Sequence, residues 1–125
     1  MVHILYIGAG GFIGSVLRYL ISKYLNNFLP SFPLGTLVVN VLGSLLLGFI
    51  IYSTILGKNI SPEVRDMLII GFIGAFTTMS TFSYETFRLL ELNEILFMCL
   101  NLMLNVVLSL IAVFFGKELA ILING

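Results

Sequence analysis

The sequence predicts an all-α membrane protein of four transmembrane helices, the third broken near its centre, paired as an antiparallel dual-topology dimer. Three observations predict it. The 125 residues are 59% hydrophobic and only 10% charged, with a mean hydropathy of +1.13, whereas about a quarter of residues carry charge in soluble domains. The few charges fall between long uncharged runs, and the basic residues divide evenly between the two ends of those runs. No internal repeat, low-complexity tract or linker interrupts the chain, so 1–125 reads as a single transmembrane domain.

The first span covers about 4–23, since a run of that length crosses a hydrocarbon core of roughly 30 Å at 1.5 Å per residue. It has no basic segment ahead of it and no clear small-residue cleavage site, which argues against a removable signal peptide. Asn26, Asn27, Pro30 and Pro33 mark a connection over about 25–33, and the second span follows at about 34–56. Ser61, Pro62 and Glu63 supply a cap, a first-turn proline and an acid at the positive end of a helix, so the third span starts there and runs over about 62–90. Its centre is crowded with Gly71, Gly74, Ala75, Thr77, Thr78, Ser80, Thr81 and Ser83, predicting a break near 74–79. Irregular backbone survives at that depth only inside protein or along a polar cavity. Asn93 is placed to cap a fourth span over about 95–120.

With four spans, Lys58, Arg65 and Lys117 lie near one membrane face and Arg18, Lys23 and Arg88 near the other. Orientation follows the imbalance of Lys and Arg, and here there is none, so both orientations are expected. Chains inserted both ways can form a twofold dimer with its axis in the membrane plane.

Six basic and six acidic residues give a net charge of zero, so no nucleic-acid surface is indicated. The lone Cys99 excludes a disulfide framework or a zinc cluster, and no nucleophile–base pair is spaced for catalysis, so an enzyme is not expected. Thr36, Asn40, Ser44 and Gly48 recur every four residues on the second span, and Asn101, Asn105 and Ser109 do so on the fourth. Such stripes serve close helix packing, but the Asn40 amide also presents two uncharged N–H donors at mid-membrane, which suits an anion. Gly10 and Gly14 read as a small-residue helix contact. No Asp, Glu or Lys is expected to face the interior of the second to fourth spans, leaving a proton relay without a carrier. Arg18 reads either as an interfacial anchor or as a basic mouth that concentrates anions, and His3 as interfacial and without a role.

Three stretches together resemble the Fluc (CrcB) family of fluoride channels. They are Gly10-Gly11-Phe12-Ile13-Gly14-Ser15-Val16-Leu17-Arg18-Tyr19, then Gly35-Thr36-Leu37-Val38-Val39-Asn40, then Gly71-Phe72-Ile73-Gly74-Ala75-Phe76-Thr77-Thr78-Met79-Ser80-Thr81-Phe82-Ser83. The third is the most specific, and chain length and span count agree from end to end. The resemblance implies a fluoride-selective channel for passive export from the cytoplasm, multi-pass in the cell membrane. It implies an antiparallel homodimer with two pores and a structural sodium ion on backbone carbonyls at the positions of Gly74 and Thr77. On matching positions the pore residues are Asn40, Met79, Ser80, Thr81, Phe82 and, on the more loosely aligned fourth span, Ser109, with Arg18 at the vestibule. Two positions depart from the family pattern: Met79 stands where a pore phenylalanine is usual, and Ala75 where the break has a second glycine. A heterodimer with a paralogous subunit carrying the missing ring, or a non-conducting assembly subunit, would accommodate Met79. A small multidrug exporter has similar length and topology, but that class trades protons through a carboxylate in its first helix, where this chain has none.

Overall fold

A computed structural model describes residues 1–125. Its helices are α1 (Val2–Asn26), α2 (Leu34–Ile55), α3 (Pro62–Asp66), a π-helical segment (Met67–Ile73), α4 (Gly74–Phe76), α5 (Ser80–Glu91) and α6 (Ile95–Asn124). Four stretches are long and apolar enough to cross a membrane: α1, α2, the third span Pro62–Glu91, and α6. Only 19 of the 125 residues are buried, and Thr36, Ser53, Asn101 and Asn105 are among them, while Leu110, Leu122, Phe12 and many other large apolar side chains face outward. Polar and small groups inside with hydrocarbon outside is the arrangement lipid demands.

Two helix pairs carry the packing: α2 lies against α6, and α1 against the π segment. Glycine sets both distances of approach. A Cβ at Gly116 would collide with the Leu45 carbonyl and the Phe49 amide of α2, and one at Gly48 with the Val113 carbonyl of α6. On the other pair, a Cβ at Gly10 or Gly14 would strike the Met67 or Phe72 carbonyl. The spacing of Gly10 and Gly14 thus marks a helix contact, as the sequence indicates. The π segment has no counterpart among the sequence expectations. Its wider turn brings backbone carbonyls toward the glycine face of α1, a contact that apolar periodicity does not encode.

Local chemistry ends and starts the helices. Ser61 Oγ accepts from the Val64 amide at 3.3 Å, with Pro62 in the first turn. Asn26 Oδ1 accepts from the Gly35 amide at 3.0 Å, so the end of α1 caps the start of α2. Gly57, at φ +100°, closes α2, with the Lys58 amide bonded to the Ser53 carbonyl and the Gly57 amide to the Thr54 carbonyl. Asn93 plays that same part for α5, correcting its expected role as a cap for the fourth span. At φ 60° it ends α5 while the Glu94 amide reaches back to the Leu89 carbonyl, and Glu94 stands at the start of α6. Asparagine tolerates the left-handed region better than other non-glycine residues, which suits it to a helix end.

His3 also departs from expectation. Its Nε2 lies 2.5 Å from Asp66 Oδ2, joining the first turn of α1 to the end of α3 across 63 residues of sequence. No local pattern announces a pair that distant.

Candidate functional site

The third span changes character at Thr77. α4 ends at Phe76, Thr77 is extended (φ −93°, ψ 158°), and α5 begins at Ser80. Hydroxyl side chains compete with helical bonding here. Thr77 Oγ1 donates to the Ile73 carbonyl at 3.0 Å, and Thr78 Oγ1 accepts from the Thr81 amide at 3.2 Å, satisfying an orphan donor in the first turn of α5. The Thr78 amide, which in a continuous helix would bond the Gly74 carbonyl, donates instead to Asn40 Oδ1 at 2.9 Å. The Thr81 amide would likewise have bonded the Thr77 carbonyl. Diversion of these two donors leaves the Gly74 and Thr77 carbonyls without a hydrogen bond from a loop amide or a side chain.

Asn40 reaches this point from the second turn of α2. Its Nδ2 donates to the Thr78 carbonyl at 3.2 Å and to Asn105 Oδ1 at 2.9 Å. A cavity of about 400 Å³ opens beside it, lined by Asn40, Ser44, Thr78, Met79, Phe82 and Ser109 among others. Its lining includes no charged residue. The structure therefore brings five sequence-nominated or neighbouring positions together: Asn40, Met79, Phe82, Asn105 and Ser109. Phe82 is buried within the wall, whereas Met79 is 72% exposed at the rim of the isolated chain. Ser80 and Thr81 do not line this cavity. Ser80 is exposed and within 3.4 Å of the Thr78 hydroxyl, and Thr81 faces a second cavity.

That second cavity, of about 390 Å³, shares Thr78 with the first and is lined by Arg18, Lys23, Thr36, Thr78, Thr81 and Glu85 among others. Arg18 turns inward: its Nε donates to the Ala75 carbonyl at 2.9 Å, pinning α1 to the interruption. Counting rise along α1 places this residue near a span end but says nothing of which way its head turns.

Glu85 corrects the expectation that no acid faces the interior. Its Oε1 is buried without a hydrogen-bond partner, in the wall shared by the second cavity and a third of about 410 Å³ that includes Asn26 and Arg88. Six residues, roughly 9 Å of helix, separate it from the end of the span. The available signal was that Glu85 is the one acid between Asp66 and Glu91. Thr78 is a hub that residue type alone does not announce, because its contribution comes through backbone as much as side chain.

The arrangement has a polarity. The start of α5 puts the positive end of a helix dipole beside Thr78, which lines both cavities, and Gly74 and Thr77 on the preceding stretch present bare carbonyls. An anion suits the first and a hard cation the second.

Comparison with known proteins agrees on one family. The family described as CrcB-like protein, Camphor Resistance (CrcB), matches residues 5–117. A Methanosarcina acetivorans protein named fluoride-specific ion channel FluC 1 is 50% identical over 117 residues, covering 94% of this chain and 89% of the relative. A Methanococcus aeolicus protein named fluoride-specific ion channel FluC is 45% identical over 126 residues, with 98% of each covered. A Shewanella amazonensis protein of that name is 48% identical over 120 residues, covering 95% of this chain and 96% of the relative. With four membrane spans and a match over nearly its whole length, the chain belongs to the CrcB-like family of multi-pass membrane proteins.

Proposed function

We propose that this chain is a fluoride-selective channel through which the anion leaves the cytoplasm passively. The observation that carries the reading is the uncharged cavity beside Thr78, where Asn40 supplies N–H donors at the head of a helix in the middle of a membrane span. Neutral donors replace the hydration of a small anion in a narrow track, whereas a fixed positive charge would hold it too tightly to leave. The edge of the Phe82 ring is positive and can meet a dehydrated anion. Hydrogen fluoride is a weak acid that enters cells neutral and dissociates inside, so a leak for the ion lowers its internal concentration without energy coupling. The relatives' names agree with this reading and with a channel in place of an enzyme. Liposomes holding only the purified chain, loaded with fluoride and opened electrically with a potassium ionophore, are expected to release fluoride rapidly and to retain chloride. A fluoride electrode recording no release above that of empty liposomes contradicts the proposal.

The second part of the reading is an antiparallel dimer. Gly74, Met79 and Ser80 are exposed on the single chain at the interruption of the third span. Each bare polar group in hydrocarbon costs several kcal/mol, so a covering surface is required there. A second copy, inserted the other way as the even charge tally permits, would provide it. Tags placed at either terminus are expected to be reached from both sides of the membrane in intact cells; access from one side alone contradicts dual topology.

A structural sodium ion fits the same place. The Gly74 and Thr77 carbonyls are hard oxygen donors freed by diversion of their helical partners. Those two carbonyls from each subunit would hold the ion and join the pair. Replacing sodium by choline in the buffer is expected to lower the thermal midpoint of the dimer; an unchanged midpoint argues against the ion.

A further inference from the structure

We propose that Asn105, Asn101 and Thr86 are positioning residues that lock the amide of Asn40 in the orientation an anion requires. The proposal deepens the channel reading and rests on it for the role of Asn40. The hydrogen bonds around Asn40 form a directional chain. The Thr78 amide donates to Asn40 Oδ1 at 2.9 Å, Asn40 Nδ2 to Asn105 Oδ1 at 2.9 Å, and Asn105 Nδ2 to Asn101 Oδ1 at 2.9 Å. Asn101 Nδ2 then donates to Thr86 Oγ1 at 2.9 Å, and the Thr86 hydroxyl donates to the Phe82 carbonyl at 2.7 Å.

Both ends of this chain are backbone groups with a single role. An amide N–H only donates and a carbonyl only accepts, so the direction of every link between them is fixed. A primary amide rotated by half a turn exchanges donor for acceptor, and rotating any one of the three asparagines costs two links of the chain. The chain begins and ends on the third span, at Thr78 and Phe82, after passing through α2 and α6. It therefore braces the first turn of α5 from two other helices.

The consequence falls on one hydrogen. Asn40 Nδ2 carries two, of which Asn105 takes one; the other meets the Thr78 carbonyl at 3.2 Å, a longer contact. That second N–H is the one an arriving anion takes. Without the acceptor that Asn105 supplies, only the two contacts to Thr78 hold the Asn40 amide, and it turns more freely to present its oxygen, which repels an anion. Asn101 is fully buried and does not line the cavity, so its effect on conduction passes through its partners, Asn105 toward Asn40 and Thr86 toward Phe82, and the Asn40 signals report the first route.

The test uses full-length protein and two readouts, fluoride efflux from liposomes and the side-chain amide resonances of Asn40 in detergent micelles. Thr86→Val removes the last hydroxyl at nearly constant volume, three links from Asn40, and Asn101→Leu removes the middle of the chain. Either variant is expected to move and broaden the Asn40 signals and to lower efflux up to about tenfold, the scale of one lost hydrogen bond. Thr86→Ser keeps the hydroxyl and is expected to behave as wild type on both readouts. Asn40 signals unmoved in Thr86→Val and Asn101→Leu overturn the proposal, as does Thr86→Ser behaving like Thr86→Val. Should wild-type protein pass no fluoride while these variants still move the Asn40 signals, the channel reading falls and the lock on Asn40 stands.

Discussion

Asn40→Asp is expected to abolish fluoride efflux, with a loss of at least about a hundredfold in liposome flux. Several effects act together. The substitution removes both N–H donors, adds a negative charge beside the proposed anion path, and turns an acceptor toward the Thr78 carbonyl and Asn105 Oδ1, which now receive donors. Facing acceptors in a low-dielectric interior repel strongly, and two like unit charges 4 Å apart, such as the new carboxylate and an arriving fluoride, repel by about 4 kcal/mol even at an effective dielectric of 20. Asn40→Ser keeps one small donor and is expected to retain part of the flux. Efflux from Asn40→Asp within a few-fold of wild type, in protein that elutes as wild type does, removes Asn40 from the conduction path.

Gly116→Val is expected to yield no folded protein. The added Cβ meets the Leu45 carbonyl and the Phe49 amide of α2, and backbone cannot swing aside as a long side chain can. Because α2 and α6 form the more extensive of the two packed pairs, forcing them apart by even one methyl group also separates Asn40 from Asn105. Gly8→Val is the control: a Cβ there meets nothing within 4 Å, so it should purify as wild type does. A sharp, unaggregated elution peak for Gly116→Val in detergent would show that α2 and α6 are less closely docked than described.

What the sequence reveals and what it hides follow one physical division. Spans are legible because charges are excluded from hydrocarbon, so Arg18, Lys58 and the acids of the loops bracket them. Close helix contacts are legible because only small residues permit them, which exposes Gly10, Gly14 and Gly48. The cluster of hydroxyls and glycines at 74–83 is legible as an anomaly in a span. Orientation about a helix axis is not. Position along a span does not say which way the heads of Glu85 and Arg18 turn, and both turn in. Long-range polar pairing is equally silent: His3 with Asp66, and Thr86 with Asn101, are chosen by the assembled fold. The π segment belongs to the same class, since Met67–Ile73 is as apolar as any α-helical stretch and only the glycine face of α1 distinguishes it.

The central claim is that neutral donors at the interrupted third span take over from water around fluoride. A fluoride titration of the detergent-solubilised protein, following the Asn40 side-chain and Thr78 backbone amide resonances, tests it at the atoms concerned. The account predicts that both signals move saturably with fluoride and stay still with equal chloride. Signals indifferent to fluoride, at concentrations where liposomes pass it, would contradict it.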